Sequence, residues 1–464
     1  MTSFTAVVTT GIYCRAAGCP GLPLRRNIVP YSSGAAAEAA GFRPCLRCRP
    51  DRVPEASWVD APELVCRALR VIADGGLDDA TEDDLATHLG VSARHLRRMF
   101  DEHVGATPNE VARSRRAHFA RRLLDDTDLP IAQVGFAAGF RSVRHMNRVM
   151  KEVFAFTPQE LRARRRRPDR LVTDGGLELR VAYRPPLAWK SILQFLAPRA
   201  IPGVEAVDLD AGVYRRTVDL DGSPGVIEVW DEPSEEALRL RAHLPAFDGL
   251  VHLVAGVRRM FDLDVDPTVI DAHLARDPLL RPLVRGRRGL RVPGAVEPFE
   301  VSVRAVLGQQ VSVAAATRFA GKLVAACGEP VQGLEPLGLT HLFPTPAAIA
   351  KADLDGVGLT RARADTVQAF AAAVDAGDVQ FGTGRGLETT VGELRARRGF
   401  GDWTAQYVAM RAYGERDAFP NSDLGLRRAL SRGDQPSSVA EAEHRAESWR
   451  PWRAYAAMHL WSAA

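Results

Sequence analysis

Three groups of residues in this 464-residue chain have types and spacings suited to chemistry. The first is four cysteines near the N-terminus, Cys14, Cys19, Cys45 and Cys48. Cys45-Leu-Arg-Cys48 is a CxxC, and the other pair lies about 25 residues upstream. Two close pairs across a loop have the spacing of a tetrahedral Zn²⁺ site. A segment with so little apolar core needs such a staple to fold. The cluster is then either a purely structural knuckle or, because a metal keeps a thiolate ionised, a nucleophile. The second group is Gly399-Phe-Gly401-Asp402-Trp403-Thr-Ala405 behind Glu393–Arg398, with Asp423 about twenty residues on. It has the form of a helix-hairpin-helix, in which Gly399 and Gly401 let the backbone approach a phosphate and the next helix offers its N-terminal amides. Asp423 also reads as the N-cap of a helix over 424–430, a role compatible with chemistry.

The third group is basic and helical. Leu85 to Phe100 reads as a helix-turn-helix, with Gly90 at the turn, Ser92 as N-cap, and Leu96 and Phe100 turned inward. Arg94, Arg97 and Arg98 then face outward. A second copy runs from Ile131 to Arg148, about 45 residues later, and offers Arg141, Arg144 and Asn147. Residues 91–170 hold 18 Lys and Arg against 9 Asp and Glu, so this block carries +9 of a chain whose net charge is +4. A basic block in an otherwise mildly acidic chain marks a polyanion partner. Only four of the basic residues are Lys, so Arg abundance alone is the weaker part of that argument.

These groups need elements to position them, and the length implies several domains. Hydrophobic residues make up 46% and charged residues 25%, a globular composition that excludes wholesale disorder. No apolar run is long enough to span a membrane, and Met1–Phe4 lacks a signal-peptide pattern, so the expected location is cytoplasmic. Residues 1–55 read as loop-rich, ending in the Pro and charge cluster Arg49–Pro54. Residues 60–168 read as successive helices, closed by the Arg164–Arg167 run. Period-two alternation in 177–183, 213–218 and 225–230 indicates strands, interrupted by a helix over 188–197. Beyond about Asp248 the chain reads as helical, with boundaries placed at 177–290 and 291–464. Cys66 and Cys327, in apolar surroundings, read as plain buried residues.

The N-terminal motifs Thr9–Arg15, Pro23-Leu-Arg25 and Gly41–Asp51 resemble the zinc domain of Ada-type methylphosphotriester repair proteins. The resemblance implies Zn²⁺ on Cys14, Cys19, Cys45 and Cys48, with Cys14 as methyl acceptor. Here the first pair is Cys-x4-Cys where the family has Cys-x3-Cys, and the family domain extends further N-terminally. A sensor without methyl transfer is the reading that this irregular pair leaves open. The paired helix-turn-helix units resemble the AraC-type DNA-binding domain, whose two recognition helices enter successive major-groove segments. Arg164–Arg167 is expected on phosphates.

From about Arg180 onward, Arg184–Trp189, Ala305–Ser312, the hairpin, and Trp449–Trp461 are similar to AlkA-type 3-methyladenine glycosylases. The resemblance implies a TBP-like strand-rich subdomain followed by an all-α helix-hairpin-helix domain. It implies that Asp423 stabilises an oxocarbenium-like sugar, that Trp403, Tyr407, Trp461 and Phe195 line the base pocket, and that Gln310 fills the gap left by a flipped nucleotide. Trp403 stands where lyase-active relatives carry a lysine, which implies monofunctional hydrolysis. The hairpin is also a candidate seat for a monovalent cation, and no organic cofactor is expected. Taken together the chain resembles Ada–AlkA fusions, mostly helical and multidomain, acting on damaged and promoter duplex DNA with RNA polymerase as a candidate partner. It lacks the Pro-Cys-His-Arg tetrapeptide of O6-methylguanine repair. The competing reading is a transcription regulator whose glycosylase half serves only to bind DNA.

Overall fold

The computed structural model describes residues 4–15, 19, 24–50, 61–165, 176–220, 222–381, 386–431 and 434–463. The two linker regions read from the sequence, after Pro50 and from Arg166 to Gly175, lie outside the described residues.

The N-terminal segment, expected as loop-rich, contains a small sheet. Phe4–Val7, Ile12–Arg15, Ile28–Tyr31 and Arg43–Pro44 form four strands, with Phe4–Val7 and Ile12–Arg15 at the centre. Among the described residues its core is Phe4, Ala6, Tyr13 and Ala37, with Tyr31 and Phe42 against them.

The helical block repeats itself. Helix Ala93–His103 starts at Ser92, whose side chain accepts from His95 N, and helix Val143–Phe154 starts at Ser142, which accepts from His145 N. In both, the positions four and eight residues beyond the cap are buried, Leu96 and Phe100 in one and Met146 and Met150 in the other. Each is followed by a Thr-Pro capping box, at Thr107-Pro108 and Thr157-Pro158. Matching the caps makes Arg94 equivalent to Arg144 and Arg97 to Asn147, so the repeat length is 50 rather than the expected 45 or so. The long helix Pro108–Asp126 joins the halves.

Next comes a five-stranded antiparallel sheet, ordered Leu177–Ala182, Ala237–His243, Ser223–Glu232, Val213–Leu220 and Glu205–Asp208. The strands Glu205–Asp208 and Ala237–His243 were not read from the sequence. Ala-Leu-Arg-Leu-Arg-Ala-His has helix-forming residue types, but its alternate residues Leu238, Leu240 and Ala242 are buried, and packing decides the matter. Helix Trp189–Leu196 lies within this unit, where Trp189 and Tyr214 pack edge-on to Phe261.

From Leu250 the chain is helical to Trp461. A buried charge cluster fastens the sheet to helix Pro298–Leu307. Arg216 Nη2 lies 2.7 Å from Glu300, and Arg304 Nη1 lies 2.9 Å from Glu205 and 3.1 Å from Glu300. Tyr214 Oη donates to Glu205 at 2.6 Å. Losing one partner of such a set costs about 3–5 kcal/mol, since a buried charge is left uncompensated.

The cores do not follow the sequence divisions. One hydrophobic cluster runs from Ala117 through the second helix-turn-helix half and the sheet to Leu460, while Val65 to Ala112 form a separate cluster. Cys66 is buried as expected, whereas Cys327 is only half-buried near the end of helix Val313–Cys327. No helix among the described residues is long and apolar enough to cross a membrane.

His459, on helix Arg453–Trp461, is 1% exposed, and both ring nitrogens lack a hydrogen-bond partner. Burial, with the charge of Arg287, holds its imidazole down to about 4. The unfolded chain therefore takes up a proton that the folded chain refuses as pH falls from about 6.5 to about 4. Stability is expected to drop by up to about 3 kcal/mol across that window. Urea midpoints at about pH 7 and about pH 4.5 should show this loss, and His459→Leu should flatten it. Parallel losses in the two proteins would reject the assignment.

Candidate functional site

Asp423 caps helix Leu424–Ala429, with Oδ1 accepting from Leu426 N at 3.0 Å. Oδ1 also accepts from Trp461 Nε1 at 3.0 Å, and Oδ2 accepts from Trp403 Nε1 at 2.8 Å. The carboxylate is thus held by a helix N-terminus and two indoles from different helices, Asp402–Arg411 and Arg453–Trp461. Tyr407, one turn beyond Trp403, stacks on it with centroids 5.1 Å apart and planes 13° apart. Tyr407 and Trp461 meet at 6.2 Å and 60°. These three rings are half-buried, so the cluster forms an aromatic wall that reaches solvent rather than sealed core. Phe195 stands differently. Its ring packs on guanidiniums, Arg199 at 3.9 Å and Arg411 at 5.2 Å, and makes no ring contact with the other three.

The hairpin sits beneath this wall. Gly399 has φ +83°, and a Cβ there would lie 2.2 Å from Thr366 Oγ1, so only glycine fits. Gly401 caps helix Asp402–Arg411, and a Cβ on it would meet open space, leaving the amides beyond it accessible. Gln310 is exposed, in the left-handed region at φ +55°, between helices Pro298–Leu307 and Val313–Cys327. Its neighbour Gln309, which sequence reasoning missed, donates from Nε2 to Gly399 O at 2.8 Å and Thr404 Oγ1 at 2.9 Å. Arg363 donates to Gln309 O at 2.6 Å. The Gln310 loop and the hairpin therefore form one braced unit.

The four N-terminal thiols also converge, with all Sγ atoms of Cys14, Cys19, Cys45 and Cys48 within 4.8 Å of one another. Cys14 lies in the strand Ile12–Arg15, and Cys45 N donates to Tyr13 O at 2.9 Å, which fixes the two pairs together. Burial and the neighbouring cysteines push the Cys14 thiol up, and burial pushes Cys48 up to about 11. Burial would raise Cys45 too, but hydrogen bonds from Cys48 and the Arg47 amide lower it. Four sulfurs this close cannot all ionise without a compensating cation, and an all-sulfur donor set at this spacing suits Zn²⁺. Cys45 and Cys48 are buried, while Cys14 and Cys19 are half-exposed.

The groove-facing candidates separate. Arg94 and Arg144 are exposed at equivalent positions on the two recognition helices, as are Arg98 and Arg148. Asn147 is half-buried. Arg97, expected to face outward, is turned by Nε onto Glu82 at 2.6 Å, and Glu82 also accepts from Asn109 N. Arg141 precedes its helix instead of lying on it, and it bonds Asp78 O and the Asp79 carboxylate. Glu82, the first residue of helix Glu82–His88, and Asp79, just before that helix, hold these two still-exposed arginines, which a reading of single helices does not weigh. Arg164 lies 4.1 Å over the Phe156 ring.

This geometry can be set beside known proteins. Successive parts of the chain match the metal binding domain of Ada (residues 2–51), a helix-turn-helix domain (85–164), the AlkA N-terminal domain (178–297) and the HhH-GPD superfamily of base excision DNA repair proteins (303–454). A probable bifunctional transcriptional activator/DNA repair enzyme AlkA of Mycobacterium tuberculosis is 40% identical over 461 residues, covering 98% of this chain and 92% of that protein. The chain belongs to this bifunctional AlkA family. DNA-3-methyladenine glycosylase 2 of Escherichia coli is 32% identical, covering 60% of this chain and 95% of its own length. The solved 3-methyladenine DNA-glycosylase of Archaeoglobus fulgidus matches with a TM-score of 0.52 at 25% identity, over 61% of this chain and 96% of its own.

Within the AlkA family architecture, the residues around Asp423 include one more that the sequence reading passed over. A Cβ on Gly425 would lie 3.1 Å from Asp423 Oδ1 and 3.5 Å from Trp461 Cδ1. Gly425→Ala is expected to push the carboxylate off its indole donors and slow excision by about tenfold, with DNA affinity unchanged. Single-turnover excision beside a duplex-binding titration checks this, and an unchanged rate would show that the carboxylate tolerates the shift.

Proposed function

We propose that the C-terminal half hydrolyses the N-glycosidic bond of alkylated bases of the 3-methyladenine and 7-methylguanine type in duplex DNA, after flipping the nucleotide out of the stack. The observation that carries this is the Asp423 carboxylate held between two indole N–H groups at the open edge of an aromatic wall. A base alkylated on a ring nitrogen is cationic, so it leaves without prior protonation, and the aromatic faces of Trp403, Tyr407 and Trp461 attract it by stacking and cation–π contact. As the C1′–N bond breaks, its electron pair passes to the base and positive charge develops on the sugar. Asp423 stabilises that charge and orients the water that completes hydrolysis. Gln310 fills the vacated stack, and the amides after Gly401, with Arg398 exposed beside them, take the phosphate. Trp403 in place of a lysine supports hydrolysis without strand cleavage. The hairpin carbonyls are the proposed seat for a monovalent cation: Arg397 O accepts from Phe400 N and Gly399 O from Gln309, and each keeps a second lone pair.

Asp423→Asn should lower release of 3-methyladenine and 7-methylguanine from methylated duplex DNA by at least about a hundredfold while retaining DNA binding. A wild type that binds methylated DNA and releases neither base would instead favour the regulator reading, with the pocket serving binding alone.

The N-terminal half is proposed to sense methylphosphotriesters and regulate transcription. Cys14, Cys19, Cys45 and Cys48 would hold Zn²⁺, which keeps their sulfurs ionised. Cys14, in the less buried pair, attacks the methyl carbon of the triester: an S–C bond forms, the O–C bond breaks, and the phosphodiester departs. Four thiolates on Zn²⁺ carry −2 and repel phosphates, whereas methylating one leaves −1, so DNA affinity rises. Arg94 and Arg144 then read the major groove of promoter DNA, with Arg97, Arg141 and Asn147 supporting them. RNA polymerase is the partner such an activator would engage, in the cytoplasm where DNA is at hand. Intact-mass measurement after exposure to methylated DNA should show one added methyl, absent in Cys14→Ser. A methyl retained in that variant would move the acceptor to another cysteine.

A further inference from the structure

The aromatic wall contains one polar atom that neither stacking nor the Asp423 clamp uses, the hydroxyl of Tyr407. Arg411, 3% exposed at the end of the hairpin helix, donates from Nη1 to Tyr407 Oη at 2.7 Å. Its other donors are committed to backbone, Nε to Pro293 O at 2.6 Å and Nη2 to Gly294 O at 3.1 Å. A guanidinium has no acceptor, so the phenol oxygen must accept this bond, and its own proton is free for another acceptor. The phenol donates to no described residue. Arg199 adds a second positive charge beside it. Burial alone would raise the phenol, but the charges of Arg411 and Arg199 and the bond from Arg411 leave it more acidic than an ordinary tyrosine. It is therefore a strengthened donor set in the same wall as the Asp423 clamp.

We propose that Tyr407 Oη–H donates a hydrogen bond to the acceptor edge of the flipped base, and that Arg411 is the positioning residue that fixes the phenol as a donor. The inference rests on the pocket reading above and adds selectivity to it. When the C1′–N bond breaks, the bonding pair moves onto the base: a cationic base becomes neutral, and a neutral base becomes an anion. Ring nitrogens and exocyclic oxygens grow more basic in both cases, so a donor to them binds the transition state better than the ground state. The phenol keeps its proton throughout. The gain is larger for a neutral leaving base, which must carry away a full negative charge, than for an alkylated cation.

The test uses the full chain and duplexes carrying a single 7-methylguanine, which is cationic, or a single hypoxanthine, which is neutral. Single-turnover rates are compared for wild type, Tyr407→Phe, Arg411→Met and Arg411→Lys. Tyr407→Phe keeps the ring and its stacking. It is expected to slow hypoxanthine release by about a hundredfold and 7-methylguanine release by less than about tenfold. Arg411→Met should shift the ratio of the two rates in the same direction, and Arg411→Lys, which still donates to the phenol oxygen, should restore most of it. Equal losses on the two bases in Tyr407→Phe would overturn the proposal, because a packing role moves both alike. Wild type that releases 7-methylguanine but no hypoxanthine would overturn it while leaving the pocket reading intact. Release of neither base would remove the pocket reading itself.

Discussion

An ionised carboxylate against aromatic rings is the constraint around which the C-terminal half is arranged. Asp423 loses water on the side of Trp403 and Trp461, and an unpaired charge there would be costly. Its compensation comes from three N–H donors, two indoles and the Leu426 amide. None of these neutralises it as an arginine would. The carboxylate keeps its negative charge available to a sugar that is becoming positive, while its position is fixed to within hydrogen-bond tolerance. Preorganisation of this kind requires that the donors be held as rigidly as the acceptor.

That rigidity is traceable through the chain. Trp403 sits on the first turn of the helix that the hairpin launches, so the backbone that meets a phosphate and the ring that meets a base move together. Gln309 ties the hairpin to the loop carrying Gln310. Arg411 closes the far end of the same helix onto Pro293 and Gly294. Behind it, Arg304 bonds Arg199 O and the carboxylates of Glu205 and Glu300, which links Phe195 and Arg199 to the sheet. A charge cluster is an expensive way to join two layers, because each ion is desolvated. Its value here is directional: it sets where the Arg199 guanidinium lies beside the phenol, which apolar packing would not specify.

Part of this was legible in residue types and part in resemblance. Four cysteines at those intervals have few other uses, and the two hairpin glycines read as a phosphate cradle, whereas the role of Asp423 beyond an N-cap came from the likeness to AlkA-type glycosylases. The period-two strands appear where expected because alternation survives in the side chains. What was not legible depended on partners distant in sequence. Arg97 and Arg141 look solvent-facing when each helix is read alone, and only the fold brings Glu82 and Asp79 to them. Phe195 matches a pocket aromatic in type, yet the structure stacks it on Arg199 and Arg411 rather than on the other rings. Arg411 carries no motif at all. Its role emerges from three acceptors, two of which lie more than a hundred residues away.

The seam between the regulator and the glycosylase follows a different logic from the pocket. Arg180 pairs with Asp126 at 2.6 Å, Arg259 with Asp74, and His252 with Asp78 at 3.1 Å. The Arg180–Asp126 and Arg259–Asp74 pairs line a cavity of about 580 Å³ shared by both halves, from Leu69 and Phe119 on one side to Val181 and Met410 on the other. Polar contacts around a void resemble an interface between domains more than an interior. Yet the second helix-turn-helix half shares its hydrophobic cluster with the sheet, which the first half does not. The sensor in turn meets the joining helix through two buried contacts: His118 bonds Glu38 at 2.6 Å, where Tyr13 Oη also donates to Glu38 at 2.7 Å, and Arg49 pairs with Asp125. Tyr13 is the residue before Cys14, so the thiol cluster and the long helix Pro108–Asp126 are separated by a single side chain.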